Sequence, residues 1–317
     1  MKAKSRPTVS VFMITHNHER YINQAIESVI DQKTNFPFLL LIGDDNSVDN
    51  TVNICNTYLT KHPEIIKMFT SNENLGVSNN AIRIYQECFI TGAKYLVFLE
   101  GDDYWTDPFK LQKHVDFLES NPDYAFVATE VTIIDSEGNI MLDYEMIQKQ
   151  RSIHKAEISF FDLLQSNLIN TLTVCVRINV ISELVKEIID RNLTFFIDKW
   201  FWLNIAMDHK IKLLNEQTAA YRVHAGGVSR NSNFMASRVP LIRHDVISKY
   251  ILNHDLSILN EAHLKILSKS CVNLILFQNL NILKRFDILW LIFTRKLLLK
   301  STLDFLAESI RKKIRRK

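Results

Sequence analysis

Four short runs in the first third of the chain are apolar with little interruption: residues 8–15 (TVSVFMIT), 38–45 (FLLLIGDD), 65–71 (IIKMFTS) and 95–103 (YLVFLEGDD). Runs of this length, rich in β-branched and aromatic residues, predict strands buried on both faces. Between the first two, Ile22, Ala25, Ile26, Val29 and Ile30 recur at helical spacing and predict one buried helix face. Residues 50–61 and 78–89 read the same way. Strand and helix therefore alternate, which implies right-handed crossovers and an α/β fold with a mostly parallel central sheet.

Ligands of such sheets sit outside the carboxyl ends of the strands. Three of the four predicted strands end in polar clusters: Thr15-His16-Asn17, Asp44-Asp45-Asn46 and Glu100-Gly101-Asp102-Asp103. They are expected to converge on one crevice. After the last cluster, Asp107 is placed to cap a helix with Pro108 at its first position, and Leu111, Val115 and Leu118 mark its buried face. A strand is expected over 124–135, helical material near 157–167, a mixed region to about 197, a helix after Asp198, and a strand from 210 that runs into the glycine-bearing loop ending at 227. Beyond Pro240 there is no glycine and no further proline, and the pattern reads as several helices. The expected division is an α/β domain at 1–240 and a helical region at 241–317 with a basic amphipathic end.

Composition narrows the class. A 47% hydrophobic chain of 317 residues with only seven glycines predicts a packed core and argues against repeat or linker-rich architecture. Cys55, Cys88, Cys175 and Cys271 are widely spaced within apolar segments, a pattern of buried thiols in a reducing compartment. The first fifteen residues carry too short an apolar run for a signal peptide. A cytoplasmic protein is expected, or one peripheral on the inner face of the cell membrane. The formal charge of +3 is uneven: residues 284–317 hold eleven Lys/Arg against three Asp/Glu. The remainder is net acidic and offers no broad basic field, so no nucleic-acid partner is expected.

Glu100, Asp102 and Asp103 place three carboxylates within four residues at one strand end. Unrelieved, such a cluster repels itself and raises the pKa of at least one member. A bound hard cation removes the conflict, and Mg²⁺ or Mn²⁺ accepts one or two protein carboxylates when phosphates supply the other oxygens.

Five stretches together carry a resemblance: VSVFMITHNHERYINQAIESVIDQ, LLLIGDDNSVDNT, NENLGVSNN, YLVFLEGDDYWTDPFKLQKHVDFLESNPD, and IDKWFWLNIA followed by YRVHAGGVS. Over about residues 8–230 the chain resembles an inverting family 2 glycosyltransferase of the GT-A fold, the bacterial type that builds surface polysaccharides. The resemblance implies a nucleotide-diphosphate sugar donor, a UDP-sugar first. It places Thr15, His16, Asn17, Asp44 and Asp45 at the nucleotide, Asp45 receiving the base imide N–H unless it serves only an Asx turn. His16 stands where the family has tyrosine, either as a flat surface against the base or merely solvated. Asp103 is implied as the metal ligand, with Asp102 on metal or ribose; Glu100 stands where relatives often have Asp. Gly76 admits backbone to the donor, and Arg83 is a candidate phosphate contact or an exposed helix residue. Asp198 falls at the position of the catalytic base. His224 matches a histidine that approaches metal or diphosphate from a C-terminal loop, with Arg222 a weaker phosphate candidate; a hydrogen-bonded strand histidine is the other reading. Trp105, Trp200 and Trp202 either line the acceptor pocket or pack in the core.

The implied activity is metal-dependent transfer of a hexose or N-acetylhexosamine to a glycan or lipid-linked saccharide. Two rivals stand beside it: a catalytically silent saccharide-binding scaffold of an assembly complex, and a sugar nucleotidylyltransferase, for which no glycine-rich phosphate loop is found. Residues 286–299 are apolar but interrupted by Asp287, Arg295 and Lys296, too short a run to span a bilayer. Leu303, Leu306, Ile310 and Ile314 mark one helical face and Arg311, Lys312, Arg315 and Arg316 largely another. Such a helix either rests on anionic lipid or packs on the catalytic domain.

Overall fold

The computed structural model describes residues 6–143, 156–193, 198–227, 232–276 and 280–314, with backbone alone at 232–235 and 308–314. The chain divides into two compact units, residues 1–158, 168–194 and 208–225 in the first, and 159–167, 195–207 and 226–317 in the second.

The first unit is built on an eight-stranded sheet. Its strands are β1 (Val9–Thr15), β2 (Phe38–Asp44), β3 (Ile66–Thr70), β4 (Tyr95–Glu100), β5 (Tyr104–Trp105), β6 (Tyr124–Ile134), β7 (Cys175–Arg177) and β8 (Lys210–Arg222), in the order β3-β2-β1-β4-β7-β6-β8-β5. The four strands expected from the apolar runs are all present, and β3, β2, β1 and β4 pair in parallel. Beyond them β7 is antiparallel to both β4 and β6, while β6 and β8 are parallel. Helices α1 (Ile22–Ile30), α2 (Thr51–Lys61), α3 (Gly76–Ile90), α4 (Lys110–Ser120) and α6 (Ile178–Asp190) belong to this unit, α5 (Phe160–Gln165) to the second.

The hydrophobic pattern is used as anticipated. Val9, Val11 and Met13 of β1, Leu40 and Ile42 of β2, and Tyr95, Val97 and Leu99 of β4 form one core with Ile22, Ala25, Ile26 and Val29 of α1. All four cysteines are buried free thiols. Helix α4 begins at Lys110, two residues later than expected. The Asp107 carboxylate accepts from the Phe109 N–H at 2.8 Å and from Lys113 Nζ at 2.8 Å, which makes a side-chain turn ahead of the helix instead of a cap on Pro108.

In the second unit, α7 (Asp198–Asp208) starts at the residue where helix was expected, followed by α8 (Ser232–Asn253), α9 (Glu261–Leu276), α10 (Ile282–Thr294) and α11 (Lys296–Ile314). The change of character near Pro240 is not a chain break: α8 runs through Pro240 at the loss of one i→i−4 hydrogen bond. Trp200 Nε1 donates to Asp245 at 2.8 Å, and Lys249 donates to Asn204 at 2.9 Å, fastening α7 to α8 through one buried and one half-buried polar contact. Phe160 stacks on Tyr250 at 4.4 Å.

Candidate active site

The carboxyl ends of β1, β2 and β4 and the end of β8 supply the polar groups of the first unit, as strand order requires. The β2 end is the most tightly wired. Asp44 accepts from Ser47 twice, at its hydroxyl (2.5 Å) and its N–H (3.0 Å), and the Asp45 carboxylate accepts the Leu75 N–H at 2.7 Å. Asp45 thereby fixes the Asn74-Leu75-Gly76 loop against the sheet. Gly76 has φ +78° with open space where a Cβ would stand, so its backbone needs glycine and its surface is bare. His16 Nε2 lies 3.1 Å from both the Asn17 and Asn74 side-chain amides, and Asn17 accepts the Val48 N–H at 2.8 Å from a left-handed backbone at φ 56°. The Thr15 carbonyl accepts the Asp45 N–H at 3.0 Å. Thr15, His16, Asn17, Asp44, Asp45 and Gly76 thus form one connected cluster, in which Thr15, Asp44 and Asp45 are buried beneath the more open His16, Asn17 and Gly76.

The acidic loop is wired differently from its expected reading. Asp103 is 3% exposed, and its Oδ1 accepts the Arg222 N–H at 2.7 Å. Burial, with the charges of Asp102 and Glu100 beside it, pushes its pKa well above the carboxylate range. Asp102 faces two imidazoles: Oδ2 is 2.9 Å from His224 Nε2 and 3.7 Å from His18 Nε2. Burial alone would raise the Asp102 pKa, but the hydrogen bond with His224 and the charges of His18 and His224 outweigh it and hold the pKa low. Burial depresses His18 in turn, against the pull of Asp102. Between these groups sits Gly101, where a Cβ would come within 2.7 Å of Thr15 Oγ1 and 3.0 Å of His18 Nδ1. The missing side chain is what lets the end of β1 lie on the acidic loop. Among the described residues, the buried Thr15 Oγ1 and His18 Nδ1 have no hydrogen-bond partner.

The donor set of Asp102 and His224, one hard oxygen and one imidazole side by side, suits Mg²⁺ or Mn²⁺ completed by phosphate oxygens. Among the described residues no group of three or more His, Cys, Asp or Glu side chains forms a metal cage by itself.

Sequence reading did not single out His18, which lies past the end of β1, beyond the left-handed turn at Asn17, where strand alternation gives no signal. Both arginines turn inward. Arg83 donates to the carbonyls of Thr70 (2.9 Å) and Asp44 (3.0 Å) and to Asn80 (2.6 Å), tying β2 to β3. Arg222 donates to the Asp102 carbonyl (2.9 Å) and Gln24 (2.8 Å) with its guanidinium 4.6 Å over the Tyr21 ring. Trp105, Trp200 and Trp202 are 4%, 0% and 1% exposed, burial that matches the core-packing alternative; Trp105 donates to the Leu172 carbonyl at 3.0 Å. Asp198, in the second unit, is half-buried at the first position of α7, and its carboxylate accepts the Lys199 N–H at 2.7 Å.

The Glycosyl transferase family 2 profile matches residues 10–189. An uncharacterized protein of Mycobacterium tuberculosis is 30% identical over 220 residues, covering 69% of this chain and 60% of that protein. The chain thus matches less than two thirds of that relative's length. The dTDP-rhamnosyl transferase RfbG of Shigella flexneri is 29% identical over 139 residues, 44% of this chain and 47% of RfbG. The putative teichuronic acid biosynthesis glycosyltransferase TuaG of Bacillus subtilis is 28% identical, over 71% of this chain and 83% of TuaG. Among solved structures, TarS of S. aureus in complex with UDP-GlcNAc superposes with TM-score 0.62 at 16% identity, covering 93% of this chain and 81% of that one. Mannosyltransferase PcManGT of Pyrobaculum calidifontis, in complex with GDP-Man and Mn²⁺, gives TM-score 0.54 at 15% identity, over 92% and 75%. With its parallel β3-β2-β1-β4 core, a helical C-terminal region and a family match over more than half its length, the chain belongs to glycosyl transferase family 2 and has the GT-A fold.

Proposed function

We propose that this transferase is metal-dependent and inverting, and that it moves a hexose or N-acetylhexosamine from a UDP-sugar to a glycan or lipid-linked saccharide in surface-polysaccharide assembly. The observation that carries the reading is the Asp102–His224 pair at 2.9 Å beside the wired ends of β1 and β2. In this reading the nucleotide lies against the cluster of Thr15, His16, Asn17, Asp44, Asp45 and Gly76. Asp45 keeps a second carboxylate oxygen for the base, and His16 offers its ring.

Asp102 and His224 are the residues that would hold Mn²⁺ or Mg²⁺, with Asp103 buttressing the loop from within. When bound, the cation supplies positive charge opposite the diphosphate as negative charge develops there. Asp198 takes the proton of the acceptor hydroxyl while its oxygen bonds to the anomeric carbon and the bond to the diphosphate breaks. One such displacement inverts the configuration and leaves no covalent sugar on the protein.

The test is calorimetry with UDP, GDP, dTDP and CMP sugars, each with Mn²⁺, Mg²⁺ or EDTA. Metal-dependent binding of the UDP class is expected. A folded protein that binds none of them would transfer the weight to the saccharide-binding scaffold.

A further inference from the structure

Helix α10 is buried on one side and bare on the other. Ile288, Leu291 and Ile292 are 0%, 4% and 2% exposed and face the interior of the second unit. Opposite them Ile282, Leu283, Phe286, Trp290 and Phe293 are 68%, 71%, 59%, 62% and 67% exposed. At helical periodicity these five fall within an arc of about 100°, a continuous stripe on one face. Single exposed apolar residues are ordinary on a protein surface, but five large ones in register on a 13-residue helix mark a surface meant to be covered. Leu297, 44% exposed, extends the apolar surface into α11.

Charge decides what covers it. Lys296 and Lys300 are exposed just past the stripe, and residues 284–317 carry eleven Lys/Arg against three Asp/Glu. Asp287, whose side chain is 63% exposed and 3.7 Å from His244, is the acidic residue of α10. A second copy docked face to face would set two strongly basic segments against each other. An anionic lipid surface is instead attracted to the lysines while the stripe enters the acyl boundary, where Trp and Phe are favoured. From Ile282 to Phe293 the stripe is about 17 Å long at helical rise, and among the described residues no helix is long and apolar enough to cross a membrane. It would lie in the interface plane.

We propose that the outer face of α10 is a bilayer-binding surface that inserts Phe286, Trp290 and Phe293 into anionic lipid with Lys296 and Lys300 at the headgroups. The sequence pattern pointed to the face of Leu303, Leu306, Ile310 and Ile314, either resting on lipid or packing on the catalytic domain; the bare stripe of α10 puts the proposed contact on the preceding helix. Leu303 is 57% exposed, while the side chains of Ile310 and Ile314, and Arg315 and Arg316 as a whole, lie outside what is described.

The chain contains its own reporter. Of its four tryptophans, Trp105, Trp200 and Trp202 are buried and only Trp290 is exposed. The full-length protein is mixed at low salt with vesicles of phosphatidylglycerol and phosphatidylcholine, and with phosphatidylcholine alone. Expected are co-flotation with the anionic vesicles and a blue shift of emission that Trp290→Phe abolishes. A double variant, Phe286→Ser with Phe293→Ser, should lose at least tenfold in vesicle affinity with its melting temperature unchanged. No flotation, equal flotation of the double variant, or equal binding to phosphatidylcholine alone would each overturn the proposal. So would a concentration-dependent blue shift without lipid, accompanied by a doubling of mass, which would assign the face to a second copy.

Discussion

His224 Nε2 stands 2.9 Å from Asp102 Oδ2, joining a loop after β8 to a loop after β4 across 122 positions of sequence. If this pair holds the cation, His224→Gln should weaken metal-dependent binding of the nucleotide sugar at least about tenfold, by analogy with the cost of disturbing metal-site neighbours. Binding measured in EDTA should not change. Equal losses with and without metal would instead make His224 a structural partner of Asp102.

Gly101→Ala tests the close approach of the two strand ends. The added Cβ would meet the Thr15 Cβ at 2.8 Å, a branched backbone-proximal atom that cannot swing aside. We expect a loss of roughly 1–3 kcal/mol in urea unfolding, the usual cost of overpacking, together with weaker nucleotide binding. Wild-type stability in the variant would mean that the loop yields freely.

Lys110 predicts a pH dependence of stability. It is fully buried, its Nζ donates to the Thr173 carbonyl at 3.0 Å and to Thr218 Oγ1 at 3.3 Å, and burial pushes its pKa down to about 7. Between about 7 and the ordinary lysine value near 10.4 the unfolded chain holds a proton that the folded chain has shed. Stability from this group therefore rises with pH across that window and is flat below it. Lys110→Met should remove the rise, and urea midpoints from pH 6 to 10 that run parallel in the two proteins would contradict it.

Asp198→Asn should abolish transfer, by about two to four orders of magnitude in kcat, while nucleotide-sugar affinity stays within a few-fold of wild type. Undiminished turnover with intact donor binding would remove Asp198 from the proton transfer.

Much of the fold was legible because its signals are local. The apolar runs named β1 to β4, their parallel arrangement followed from the intervening helix faces, and helix α7 starts at the expected Asp198. The short strands β5 and β7 were not legible, since two or three residues carry no periodicity. At the site, the Asp45 carboxylate and the loop that carries Gly76 were named as candidates for one crevice and the structure joins them through the Leu75 N–H, but the partners of the charged groups were not readable from type. Arg83 and Arg222 were candidates for phosphate only through the family resemblance, with an exposed helix residue the equal alternative for Arg83. The structure engages Arg83 with the carbonyls of Thr70 and Asp44 on two strands, and Arg222 with the Asp102 carbonyl and Gln24, contacts that no local pattern records. Which of Asp102 and Asp103 faces the imidazoles was hidden for the same reason: it depends on which of two adjacent carboxylates meets the β8 backbone. His18 escaped notice because its partner, Asp102, is brought to it only by the β1–β4 pairing.

The bond from the Arg222 N–H to Asp103 spans 119 residues, and that distance has a kinetic consequence. Strands β1 to β4 can pair from the first hundred residues, but the acidic loop is not closed until β8 returns to it. Contacts of such long range are made against a large loop-closure entropy and tend to form slowly. In refolding, nucleotide-sugar affinity should therefore recover after the bulk of the secondary structure, a delay that stopped-flow binding and circular dichroism can compare. A newly made chain would then acquire its donor only once β8 has docked, and the donor in turn would stabilise the completed unit alone.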